Sequence, residues 1–285
     1  MITFFQVIIL GIVQGFTELF PISSLGHSVI IPSLLGWNIH QSDPYFIVLL
    51  VSTHTATALV LLYFFRKDWL KIVKGMLRSL KNRSIDKDDS YAKLGWLLVV
   101  GTIPAGILGL LFQNSLQSLF ASAQLAAFFL MVNGVILYSA QRLRKRPHME
   151  AKTSSDKKIA KLSWTQAIFV GTAQAGALIP GISRSGSSMA GGLLAGLNNE
   201  DAARFSFLLA TPIIAAAAIL KLPDLLGSSA NDFRTQALVG ALFAGVSAYL
   251  SVRFLLRFFK SNTLTPFAIY CFTAGLFLSI YFLFR

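Results

Sequence analysis

Charge is scarce in this 285-residue sequence: 13% of its residues are charged, against 54% hydrophobic. An average soluble chain carries about 25% charged residues, so this composition leaves too little to cover a water-facing surface. Acidic residues number only twelve, and cysteine only one. A single Cys271, set in an apolar run, excludes an intramolecular disulfide and reads as a packing residue. The N-terminus lacks a basic region and a small-residue cleavage site, so no removable signal peptide is expected and the first helix stays in the mature chain.

Apolar sequence is what the chain has in quantity. Runs at 45–65, 94–112, 124–138, 205–220, 237–256 and 266–284 approach or reach the ~20 residues that cross a bilayer. The expected fold is therefore all-α: a polytopic integral membrane protein. The net charge of +13 does not point to nucleic acid, because 17 of the 25 Lys and Arg fall in two short segments, nine in 66–93 and eight in 142–161. Both segments read as cytoplasmic loops under the positive-inside rule, with anionic lipid head groups as their partner.

The chain also repeats. At an offset of 160, Gly11 falls on Gly171, Gln14 on Gln174, Ser23 on Ser183 and Gly26 on Gly186. Each half runs from a Gly/Ser-rich broken segment into three full-length spans. One membrane domain over 1–285 is expected, with repeat halves 1–141 and 162–285 joined by the basic loop 142–161. Placing the basic loops on one side gives the halves opposite orientations, an inverted-topology repeat whose functional groups gather near the midplane. Segments 1–43 and 162–204 then enter and leave on the same side, as re-entrant helix-loop-helix hairpins broken at Pro21 and at the "PGISRSG" stretch that starts at Pro180. Irregular backbone at that depth must be covered by protein or line a cavity, so the two loops should meet at a shared pocket.

Polar residues inside those hairpins carry the chemistry. Glu18 is the one acid deep in an apolar segment, a placement that is costly without a function or a partner. Arg184 is equally isolated, and its planar fork suits phosphate oxygens. Around it Gly181, Ser183, Ser185, Gly186, Ser187 and Ser188 offer backbone amides and hydroxyls, and a helix beginning near Ser187 would direct its positive end at an anion. Ser23, Ser24 and His27 complete the first loop. A His three residues after a Ser suits a nucleophile with its base, while Ser23 or Ser24 alone suits an N-cap. Gln14, one turn before Glu18, offers an amide oxygen to a hard cation such as Mg²⁺ or Ca²⁺, or serves as a hydrogen-bond spacer. His54 reads as structural, and His40 and His148 carry no assignment.

The stretches "GIVQGFTELFPISSLGH" and "AQAGALIPGISRSGSSMAGG", with "YFFRKDW" and "GTIPAGILGLLF" between them, closely resemble the signatures of undecaprenyl pyrophosphate phosphatases of the bacitracin-resistance type. The resemblance runs over nearly the whole chain. It implies hydrolysis of undecaprenyl pyrophosphate to the carrier lipid of envelope polymer synthesis, in a bacterial inner membrane. It also implies divalent-cation dependence through Gln14 and Glu18, and pyrophosphate binding by Arg184 within the motif of Pro180, Gly181, Ser183, Ser185 and Gly186. Leu25 departs from the small or hydroxyl residue common in that family, and Gln14 is the less charged option at its position.

The resulting expectation has Ser24 as nucleophile, His27 as its base and Glu18 orienting His27 or holding the metal, with His27 as the alternative nucleophile. The pocket should open to the periplasm. A homodimer is compatible with the family, and transport of a polyprenyl phosphate is the competing function.

Overall fold

The computed structural model describes residues 2–39, 43–119, 122–144, 154–220 and 232–284, and among these every regular element is helical. Two hairpins and six long helices make up the body. The first hairpin is α1 (Phe4–Leu19) and α2 (Ser24–Leu34), and the second is α8 (Trp164–Ala175) and α9 (Arg184–Leu194). Helices α3 (Pro44–Phe64), α5 (Ser90–Leu119), α6 (Ala123–Leu143), α10 (Asn199–Leu220), α11 (Arg234–Phe258) and α12 (Thr265–Leu283) are each long and apolar enough to cross a membrane. Helices α4 (Arg66–Asn82) and α7 (Ser155–Ile159) lie in the two basic segments. His40, His148 and residues 145–153 of the basic loop fall outside the described residues.

The hairpin helices are short for physical reasons. With 16 residues in α1 and 11 in α2, their lengths are roughly 24 and 17 Å at 1.5 Å per residue, below the ~30 Å of a hydrocarbon core. The break between them is made by Pro21 and by Ser23, which stands at φ 70°, a left-handed conformation that is uncommon outside glycine. Ser23 then caps α2 by accepting from Gly26 N at 3.2 Å. The second hairpin repeats this design: Ser183 caps α9 by accepting from Gly186 N at 3.1 Å. Helix α9 thus begins at Arg184 rather than near Ser187, because the Ser183 cap sets its start three residues earlier.

The two halves also share their packing. Thr3 and Gln6 form a capping box on α1, and Ser163 and Gln166 form its counterpart on α8, again 160 residues apart. Helix α1 packs on α11 and α8 on α5, while α3 meets α11 and α10 meets α5. At the first of these seams a Cβ on Gly11 would strike the Gly240 carbonyl, and at the second a Cβ on Gly171 would strike that of Gly101. Only glycine lets the backbones approach this closely, as small residues do at helix interfaces in lipid.

Segment 66–93, read from sequence as a loop, contains the helix α4. Its apolar residues recur at helical spacing between the lysines, and Ile72 and Gly75 seat it on α5.

Candidate active site

The two loops do not merely face each other; they are stitched together. Ser185 Oγ donates to the Phe20 carbonyl at 2.9 Å, and Ser183 Oγ reaches the same oxygen at 3.4 Å. Asn133, in the middle of α6, spans both loops: its Nδ2 donates to Pro21 O at 3.0 Å and its Oδ1 accepts from Ser183 N at 3.1 Å. Asn133 is fully buried, so these bonds have no competition from water. Cys271 donates toward Pro21 O at 3.7 Å and accepts from Asn133 at 3.3 Å, the packing position expected of it. Gly181 adopts φ 96°, and a Cβ there would collide with the Ala126 carbonyl of α6. A side chain would therefore be both strained and excluded at this position.

This stitching brings Glu18 and Arg184 together from opposite hairpins. Arg184 Nη2 donates to Glu18 Oε1 at 2.9 Å, with both side chains largely buried. On the other carboxylate oxygen, Oε2, Ser24 Oγ donates at 2.6 Å and Gln14 Nε2 at 2.9 Å. Three of the residues singled out from sequence therefore converge on the carboxylate of a fourth.

His54 joins them, although the sequence suggested a structural role. Its Nδ1 lies 2.8 Å from Leu50 O, an acceptor, so Nδ1 carries the proton. That leaves Nε2 facing Gln14 Nε2 at 3.1 Å and Glu18 Oε2 at 3.4 Å.

His27 sits elsewhere. Its Nδ1 donates to Ser23 O at 2.7 Å, and its Nε2 lies 2.8 Å from the hydroxyl of Tyr270 on α12, whose ring stacks over the imidazole. No hydrogen bond joins His27 to Ser24 or Glu18. In this arrangement the hydrogen-bond acceptor for the Ser24 hydroxyl is Glu18.

The hydroxyls of Ser183 and Ser185, expected among the phosphate donors, are directed at Phe20 O. The Gly186 amide is taken by its own cap. What stays open for an anion is narrower and better defined. Arg184 Nη1 is buried with no partner. Helices α2 and α9 both end at the loops with their positive N-termini. Gln14 Oε1 is likewise buried and unpartnered.

For a divalent cation, no cluster of three or more His, Cys, Asp or Glu exists among the described residues. The donors at hand are Glu18 and the free Gln14 oxygen. Such a sparse oxygen set fits a hard cation that takes its remaining ligands from phosphate and water, as Mg²⁺ does.

The sequence did not signal Tyr270 as part of this site. Asn133 did leave a trace, as the lone amide in "AAFFLMVNGVILYS". Comparison by position adds a contrast between the hairpins. Offset by 160, Glu18 corresponds to Leu178, Ser24 to Arg184 and His27 to Ser187. One hairpin supplies acid and hydroxyl, and the other supplies the cation.

A family model described as bacitracin resistance protein BacA matches residues 7–277. The chain is 41% identical over 334 residues to undecaprenyl-diphosphatase 2 of Frankia alni, with 96% of both chains covered. It is 44% identical over 295 residues to undecaprenyl-diphosphatase of Mycolicibacterium paratuberculosis, covering 96% of this chain and 95% of the relative. It is also 44% identical over 280 residues to undecaprenyl-diphosphatase 2 of Burkholderia thailandensis, covering 98% and 96%.

Proposed function

The chain belongs to the bacitracin resistance protein BacA family, and from that membership and the Glu18–Ser24–Arg184 constellation we infer that it hydrolyses undecaprenyl pyrophosphate. The products are undecaprenyl phosphate and inorganic phosphate, and the family name carries bacitracin resistance with it. The observation that bears most weight is the pair of Arg184 Nη2 and Glu18 Oε1 at 2.9 Å, with Ser24 on the other carboxylate oxygen and Arg184 Nη1 free.

The steps follow from this arrangement. The pyrophosphate replaces internal partners at Arg184, whose unpartnered Nη1 receives a phosphate oxygen in a fork that ammonium groups lack. Ser24 Oγ attacks the terminal phosphorus while its proton passes to Glu18, and the bond to the bridging oxygen breaks to release undecaprenyl phosphate. Water then cleaves the phosphoserine and restores the hydroxyl. Arg184 and the α2 and α9 N-termini lie where they offset charge on the transferring group, which is the main requirement of phosphoryl transfer. A divalent cation, Mg²⁺ or Ca²⁺, would be held by Glu18 and Gln14 Oε1 and would neutralise phosphate charge. His27 as nucleophile remains the alternative, supported by its lone pair at Nε2, which must then part from Tyr270.

Location follows from charge. Basic segments 66–93 and 142–161 belong on the cytoplasmic side, which directs the first hairpin inward from the opposite face and opens the pocket to the periplasm of a bacterial inner membrane. A second reading, translocation of the lipid phosphate, draws support from the packing that recurs in both halves.

Phosphate release from undecaprenyl pyrophosphate in detergent, with Mg²⁺, with Ca²⁺ and with chelator, tests the proposal. Wild type should release phosphate, Glu18→Gln, Ser24→Ala and Arg184→Ala should lose at least about a hundredfold in rate, and chelator should suppress the reaction. Folded wild type that releases none with any cation would leave translocation as the function.

A further inference from the structure

Helix α4 packs one face into the protein and, among the described residues, leaves two others uncovered. Ile72, Gly75 and Ser79 are buried against α5, with Trp96 Nε1 donating to Ser79 Oγ at 2.8 Å. A second face carries Leu70, Val73, Leu77 and Leu80, which are 61, 48, 60 and 57% exposed. Their spacing of three, four and three residues sets them in one stripe along the helix. A third face carries Lys67, Lys74 and Lys81, all exposed and spaced by seven, so that they too share one line.

Internal partners account for the other charges of this helix. Arg78 holds Asp89 at 2.7 Å, Lys71 reaches the Tyr91 hydroxyl at 3.2 Å, and Arg66 donates to Tyr63 O at 2.9 Å. Asp68, the single acid, is taken by Arg204 at 3.0 Å. Among the described residues the three aligned lysines have no such partner. Four uncovered aliphatic side chains next to an uncompensated row of cations are wrong for bulk water on one side and for hydrocarbon on the other. They are right for the boundary between the two.

We propose that α4 lies in the membrane plane as a binding face for anionic phospholipid, with Leu70, Val73, Leu77 and Leu80 among the acyl chains and Lys67, Lys74 and Lys81 against headgroup phosphates. The occupant is fixed by charge and by continuity. The stripe adjoins α3 and α5, whose own exposed residues Leu62, Tyr63, Val99 and Ile103 belong to the apolar belt of the spans. The three lysines extend over roughly 21 Å of helix, a row long enough for more than one headgroup.

Two measurements on the full chain in phosphatidylcholine vesicles containing phosphatidylglycerol test this. Nitroxide labels at Leu77→Cys and Lys74→Cys report on the two faces, since the native Cys271 is wholly buried. The Leu77 label should be relaxed by oxygen and protected from an aqueous nickel chelate, and the Lys74 label should show the reverse. A Leu77 label open to nickel, or closed to both reagents as it would be beneath a second copy of the chain, would overturn the proposal.

The second measurement follows the preference for spin-labelled phosphatidylglycerol over phosphatidylcholine in the lipid shell. Lys67, Lys74 and Lys81 changed together to Gln should lower it by about fivefold per contacting lysine. Phosphate release in detergent should be unchanged, since α4 is remote from the site. An unaltered lipid preference in the triple variant would refute the headgroup contacts.

Discussion

Replacing Asn133 with leucine tests whether the site is held by the α6 bridge. The two side chains are similar in size, so the change removes hydrogen bonds while largely preserving packing. In the variant, Ser183 N loses its acceptor, and Pro21 O keeps only the distant Cys271 thiol at 3.7 Å. Leaving a buried donor or acceptor unsatisfied costs about 1–3 kcal/mol each, so the docked loops should lose roughly 2–6 kcal/mol. That loss falls on the contact that carries Arg184 to Glu18, and the catalytic geometry should suffer before the helices do. Phosphate release should fall at least about tenfold while helix content by circular dichroism remains. Asn133→Asp adds a control, because it retains an acceptor for Ser183 N but turns a carboxylate oxygen on Pro21 O. It too should be impaired. If Asn133→Leu releases phosphate at the wild-type rate and withstands heating in detergent equally well, the bridge does not hold the site together.

Two further outcomes are expected. Tyr270→Phe removes the hydroxyl that His27 Nε2 accepts from; if that bond positions His27, kcat should fall about two- to tenfold with KM little changed, and a KM effect alone would refute such a role. Outside the membrane, Asp89 accepts from Ala92 N at 3.0 Å and from Arg78. Partial burial pushes its carboxyl upward, but those bonds outweigh it and hold the group below its ordinary value. The tie is therefore complete above the usual carboxylate range and is lost as pH falls through the lowered value, which a drop in the protection factor of the Ala92 amide, taken against its intrinsic exchange rate at each pH, should report.

The parts of the site visible from sequence were those whose cost is set by the environment alone. Glu18, Arg184 and Gln14 are polar groups in hydrocarbon-like sequence, and such groups announce themselves wherever they stand. The hydroxyls were harder, because a serine aimed at a phosphate and one aimed at a carbonyl are the same residue. Ser24 met Glu18, whereas Ser183 and Ser185 closed onto Phe20. The histidines depended on partners far along the chain: Tyr270 lies 243 residues from His27, and no local pattern encodes that contact. Helix α4 is hard to see in the sequence because its lysines mask the apolar periodicity between them.

The pairing of Glu18 with Arg184 crosses 166 residues of chain, and that interval has a meaning during synthesis. At bacterial-type rates of about 5–20 residues per second, the carboxylate emerges roughly 10–30 s before its counter-ion exists. Through that time the first hairpin holds an acid without the guanidinium that pairs with it in the finished fold. The last helices then bring Tyr270 and close the bundle over the loops. On the proposed mechanism neither half holds a complete set of groups, since Glu18 and Ser24 lie in the first hairpin and Arg184 in the second. On that mechanism the site is complete only once the second hairpin docks, so completion of the fold and completion of the chemistry would be the same event.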